Sequence, residues 1–137
     1  MNWKSFFITF VVIYILGSLL NFLIHGVLLM ETYQSLSAVW RPDMDRLMWL
    51  QFVTPIFLSF FFIYIFAKGR EGKGVMEGLR SGLIIWAFLS IPSVYGQYMT
   101  YPLPYSMVLQ WLISDLFILS ILGITVSLLY KPAENKG

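Results

Sequence analysis

Two ionisable side chains break stretches of the chain that are otherwise apolar, and both are types that handle protons near neutral pH. Asp115 stands within QWLISDLFILSILG and His25 within NFLIHGVLLM. A carboxylate and an imidazole held close together can share a proton, form an ion pair or bind a polar ligand. Gly17, Asn21 and His25 recur at intervals of four, which puts them on one face of a helix. Gln51, Tyr95, Gln97 and Gln110 fall at a similar depth. The candidate ligand-binding or proton-handling residues are therefore His25, Asp115, Asn21, Gln51, Tyr95 and Gln110. The opposite halves of the same segments carry only Ser and Thr hydroxyls, so the expected feature is a pocket open at one end and not a continuous pore. Direct pairing of His25 with Asp115 is expected, either as a neutral hydrogen-bonded pair or as an ion pair.

Other chemistries are excluded by counting. The chain has no cysteine and one histidine, so disulfides, thiolate nucleophiles, iron–sulfur ligands and His-rich metal clusters cannot form within it. One His and one Asp supply only two ligands, and no metal site or cofactor is expected. A haem would need a second axial ligand such as Met30 or Met99, which leaves a single-histidine haem protein as a remote alternative. No HExxH, GxSxG or paired-acid pattern occurs, so an enzyme is not the expected reading. A net charge of +2 gives no footprint for nucleic acid.

The elements that must position these residues follow from composition. Of the 137 residues 58% are hydrophobic and 12% charged, with a mean hydropathy of +0.75. A soluble domain of this size has too little interior to hide that much apolar surface. Apolar runs at about 5–30, 49–67, 79–99 and 105–130 each match the roughly 20 residues needed to cross a bilayer. Lipid offers no partners to backbone groups, so such runs are helical, and four of them with short connections predict an all-α four-helix integral membrane bundle. No small-x-small cleavage pattern follows the first run, which reads as a retained span. A carboxylate near the middle of the fourth span costs about 2.5–3.5 kcal/mol on insertion scales, so Asp115 must face the bundle or water.

Basic residues orient the bundle. Lys4, Lys68, Arg70, Lys73, Arg80, Lys131 and Lys136 lie on one side, against Arg41 and Arg46 on the other. The positive-inside rule puts both termini and the middle loop in the cytoplasm, in a cell's inner (plasma) membrane. In the long outer connection, Pro42 with Asp43 and Asp45 predicts that the second helix begins there. Leu36, Val39 and Trp40 predict a segment lying among the outer headgroups. The connection YMTYPLPYS, uncharged and with two prolines, predicts a tight interfacial cap.

Gly74, Gly78 and Gly82 are spaced four apart, a ladder that lets a neighbouring helix backbone approach closely. The surrounding AKGREGKGVMEGLRSG lacks the GxxxxGK[ST] pattern of a phosphate loop. Pro92 with Gly96, and Pro55, are expected to interrupt or bend the third and second helices.

The chain resembles small bacterial four-helix membrane proteins of unknown function. The likeness lies in His25 followed by Tyr33, in the glycine-rich start of the third helix with Gly78 and Gly82 leading to Tyr95 and Tyr98, and in Trp111 before Asp115. It implies the four-span fold and assigns no activity. The expected function is binding of a partner or small ligand through the outer-leaflet polar pocket, as an accessory subunit or small homo-oligomer within a larger membrane complex. The alternative is a small proton-coupled transporter that uses Asp115.

Overall fold

A computed structural model describes residues 1–133. Lys136, one of the basic residues used above, lies outside the described residues. The chain forms α1 (Trp3–Asn21), a π-helical stretch (Phe22–Leu28), a short α2 (Met30–Ser35), a 3-10 turn (Met44–Leu47), α3 (Leu50–Gly69), α4 (Val75–Thr100) and α5 (Tyr105–Leu129). No strand occurs among the described residues. Four helices are long and apolar enough to cross a membrane, the first running through the π stretch to Leu28.

Asn2 starts α1 by accepting a hydrogen bond from the Ser5 N–H at 3.1 Å, as a helix N-cap does. The helix widens where Leu29 N–H reaches the Ile24 carbonyl, five residues back. Gly26 sits in that stretch because a Cβ there would press on the Phe22 ring, 3.1 Å away. Residues 70–74 turn the chain from α3 into α4 through Gly72 and Gly74, with φ of +78° and +72°. These are left-handed conformations that glycine adopts without strain. The Glu77 carboxylate, buried under this turn, accepts from the backbone N–H of Lys73 at 2.7 Å and from that of Glu71. A phosphate would need those same donors, so the glycine-rich loop is already occupied by its own acid. Glu71 pairs with Lys73 and with Arg80, the latter at 2.8 Å, and these cations hold its carboxyl below the usual carboxylate range.

The four long helices alternate in direction. α4 and α5 make the most extensive pair, α1 packs on both α3 and α5, and α3 meets α4 sparingly. Two apolar clusters hold the bundle. One, at the end that carries the termini and the 70–74 turn, contains Phe6, Phe62, Phe66, Leu122, Val126 and Tyr130. There Lys131 N–H donates to Ser5 Oγ at 2.8 Å, tying the last turn to the first helix. The second cluster, at the opposite end, joins Val94, Leu103, Met107, Val108 and Trp111. Apolar surface of this kind contributes roughly 25 cal/mol per Å² where it leaves water.

The structure departs from the sequence reading in two places, at the start of α3 and within α4. α3 begins at Leu50, with only a 3-10 turn after Pro42. Asp43 does not cap it, because its carboxylate grips Arg41 at 2.6 and 3.1 Å. Leu36, Val39 and Trp40 of the 30–49 connection are half-buried. They fold back onto the second cluster, and Trp40 Nε1 donates to the Tyr33 carbonyl at 2.9 Å. Finally, α4 runs unbroken through Pro92 and Gly96 to Thr100. A proline ring can be kept in a membrane helix when the neighbouring helices hold the local geometry.

Candidate functional site

Along α5 the two apolar clusters are separated by one polar residue. Trp111 belongs to the cluster near the 30–49 connection and Ile118 to the other, with Asp115 between them. Asp115 is half-buried and faces a partly open pocket of about 210 Å³, whose lining residues Asn21, Leu89 and Ser93 are exposed. All four long helices line that cavity: Asn21 from α1, Leu58 from α3, Ser90 and Ser93 from α4, and Ile118 beside Asp115 on α5. Asn21 Nδ2 donates to the Gly17 carbonyl at 2.9 Å, which commits one amide proton and leaves the amide oxygen to accept. Among the described residues no Lys, Arg or His forms an ion pair with Asp115.

Asn21 and Leu58 also line a second, larger cleft of about 650 Å³ between α1 and α3. Its polar residues are Ser18, Asn21, His25, Gln51, Thr54 and Ser59, set among Tyr14, Phe22, Phe52 and Pro55. Pro55 has no N–H, so the Gln51 carbonyl one turn earlier loses its helical partner on the wall of this cleft. Tyr14 Oη donates to the Phe52 carbonyl at 2.9 Å and so braces α1 against α3. Ser18 Oγ is buried and has no hydrogen-bond partner among the described residues. Gln51, Phe52, Thr54 and Phe22 are exposed, so the cleft opens on the α1–α3 flank.

His25 is engaged elsewhere than at Asp115. Its Nδ1 lies 2.6 Å from Tyr33 Oη, and Trp111 Nε1 donates to the same phenol oxygen at 2.6 Å. An indole N–H only donates, so the phenol spends an acceptor site on it and its own proton goes to His25 Nδ1. The imidazole then carries its proton on Nε2. This relay ties the π-helical stretch, α2 and α5 together. The π turn itself is a rare local geometry, found often at functional sites.

Of the residues singled out from the sequence, Asn21, His25 and Gln51 share the larger cleft, and Asn21 with Asp115 share the smaller one. Tyr95 and Gln110 line neither. Tyr95 Oη instead lies 2.9 Å from Tyr105 Oη near the 101–104 connection, and Gln110 Oε1 is buried without a partner among the described residues. Sequence reasoning passed over the hydroxyls of Ser18, Thr54, Ser59, Ser90 and Ser93. Ser90 and Ser93, three apart on one helical face, were the available signal.

Gly78 and Gly82 lie against α5, where a Cβ on Gly78 would collide with the Gly123 carbonyl oxygen and approach Ser127 Cβ to 2.7 Å. A Cβ on Gly82 would collide with the Leu119 carbonyl. Gly74 takes no part in this contact. It precedes α4 and has nothing within 4 Å, and its positive φ is what the turn requires. Gly123, on the facing helix, completes the contact in its place.

Comparison with family profiles, curated proteins and solved structures finds no match for this chain.

Proposed function

We propose that this protein is a multi-pass membrane protein that binds a small amphipathic molecule in the cleft between α1 and α3. The observation that carries this reading is the convergence of polar side chains from every long helix on two adjoining spaces within an otherwise apolar bundle. Burying such groups away from water is costly unless something satisfies them, and a bound ligand is one way to do so. The larger space falls within the roughly 300–1,000 Å³ of ligand pockets generally. Beyond it, Phe62, Phe66, Leu122 and Val126 fill the half of the bundle that carries the termini. That packing favours binding over transport by Asp115, which would need a path through the same half. The broad apolar surface of the spans faces lipid or, in an accessory subunit or small homo-oligomer, a partner.

Thr54 is exposed at the cleft, with its hydroxyl bonded only to the Leu50 carbonyl of its own helix. Thr54→Trp fills the cleft from its open side. The expected result is a loss of ligand affinity of at least tenfold with a melting temperature within a degree or two of wild type. Retained affinity would place the ligand elsewhere.

The distribution of basic residues supports an orientation with both termini and the 70–74 turn in the cytoplasm and the 30–49 connection outside. Reporter fusions at Gly137 and near Asp43 are expected to label opposite faces of the membrane. Labelling of both from the same face would overturn the orientation.

A further inference from the structure

We infer that the ligand is an organic cation with a primary ammonium head and an arylalkyl tail, the ammonium seated on Asp115. This rests on the binding reading above and names the class of molecule. The smaller cavity presents the Asp115 carboxylate, the Asn21 amide and two serine hydroxyls. The Asn21 amide has used one of its two protons within its own helix, which leaves one N–H to donate and its oxygen to accept. All four groups can accept a hydrogen bond, and the strongest acceptor is the carboxylate. Among the described residues no cation pairs with it. His25, the residue best suited to neutralise it, is turned to Tyr33.

A carboxylate with no ion-pair partner, set beside an amide oxygen and hydroxyls that can accept, is complementary to a group that brings both positive charge and several N–H donors, which a primary ammonium does. An anionic ligand would add a second buried negative charge beside the first. A transition metal would find a single carboxylate and no imidazole or thiolate, and no cluster of metal-binding side chains occurs among the described residues.

Asn21 and Leu58 line both spaces, so a head at Asp115 lies beside the larger cleft, where its tail would be placed. Three aromatic rings, Tyr14, Phe22 and Phe52, line that cleft. Aromatic side chains pack favourably against an aromatic tail and attract a cation passing over their faces. The opening on the lipid-facing α1–α3 flank admits a molecule whose tail already partitions into the bilayer.

The experiment measures binding of 4-phenylbutylammonium and of its neutral counterpart 4-phenylbutanol to the full chain in phosphatidylcholine nanodiscs, with empty discs subtracted. Wild type is expected to bind the ammonium at least tenfold more tightly than the alcohol. Asp115→Asn, which keeps the size of the side chain and is easier to insert in a membrane, is expected to bind the two alike, with the alcohol affinity kept within about twofold. Equal binding of both probes by wild type would overturn the ammonium assignment while leaving the cleft reading intact. A preference for the ammonium that survives in Asp115→Asn would do the same. Failure of both probes to bind would overturn both readings. Repeating the measurement in discs that contain phosphatidylethanolamine identifies the source of the head group. Weaker binding there means that a lipid ammonium competes for Asp115, and unchanged binding means that the site takes free amines.

Discussion

Gly78→Ile is expected to destabilise the protein by about 3 kcal/mol or more, the upper end of what overpacking costs. The side chain would have to occupy space held by the Gly123 carbonyl and by Ser127, backbone and Cβ atoms that cannot rotate aside. α4 and α5 would separate, and theirs is the most extensive contact in the bundle. Two controls give the result its meaning. Phe61→Leu changes an exposed side chain on α3 and is expected to shift the melting temperature little. Gly96→Ala adds a Cβ where nothing lies within 4 Å and is expected to be neutral or slightly stabilising. Thermal unfolding in detergent checks all three. Equal stability of Gly78→Ile and Phe61→Leu would mean that α4 and α5 do not pack through these glycines.

Tyr33→Phe is expected to cost about 2 kcal/mol, although it removes a single oxygen atom. That atom is the acceptor for Trp111 Nε1 and the partner of His25 Nδ1, each at 2.6 Å. Its loss orphans the indole N–H among Val94, Met107 and Val108 and frees the imidazole from its tautomer. Trp111→Phe removes the indole donor as well. The double variant is expected to cost clearly less than the sum of the singles, because the second change then leaves nothing unsatisfied. Additive costs in the thermal unfolding cycle would mean that the two residues do not share the bond. Separate cycles of His25→Gln with Tyr33→Phe and with Asp115→Asn distinguish this relay from direct pairing of His25 with Asp115. In that case His25 and Asp115, and not His25 and Tyr33, would show the coupling.

The amino-acid sequence by itself determined the all-α architecture with four candidate spans. Composition and run length suffice for that, because an apolar run long enough to cross a bilayer has only the helix to satisfy its own backbone. It also marked Asp115, Asn21 and His25 as the polar exceptions, since a charged or amide side chain stands out in a background of Leu, Ile and Phe. What it did not contain was the choice of partners. His25 has Asp115 at a compatible depth and Tyr33 eight residues away, and periodicity alone does not rank them. The tertiary structure decided for Tyr33, because the π stretch and α2 carry that phenol back under the ring while Trp40 anchors the connection to it. Spacing likewise made Gly74 indistinguishable from Gly78 and Gly82, and only the chain reversal at Gly72 and Gly74 shows that the first glycine serves the turn while the other two serve the contact with Gly123. The serine hydroxyls around Asp115 were silent for a similar reason. A serine in a membrane helix can bond to its own backbone and so reveals nothing until four helices bring it to a common cavity. Run length is a local property and can be read along one dimension. Which polar groups meet depends on helix rotation and adjacency, which packing alone sets.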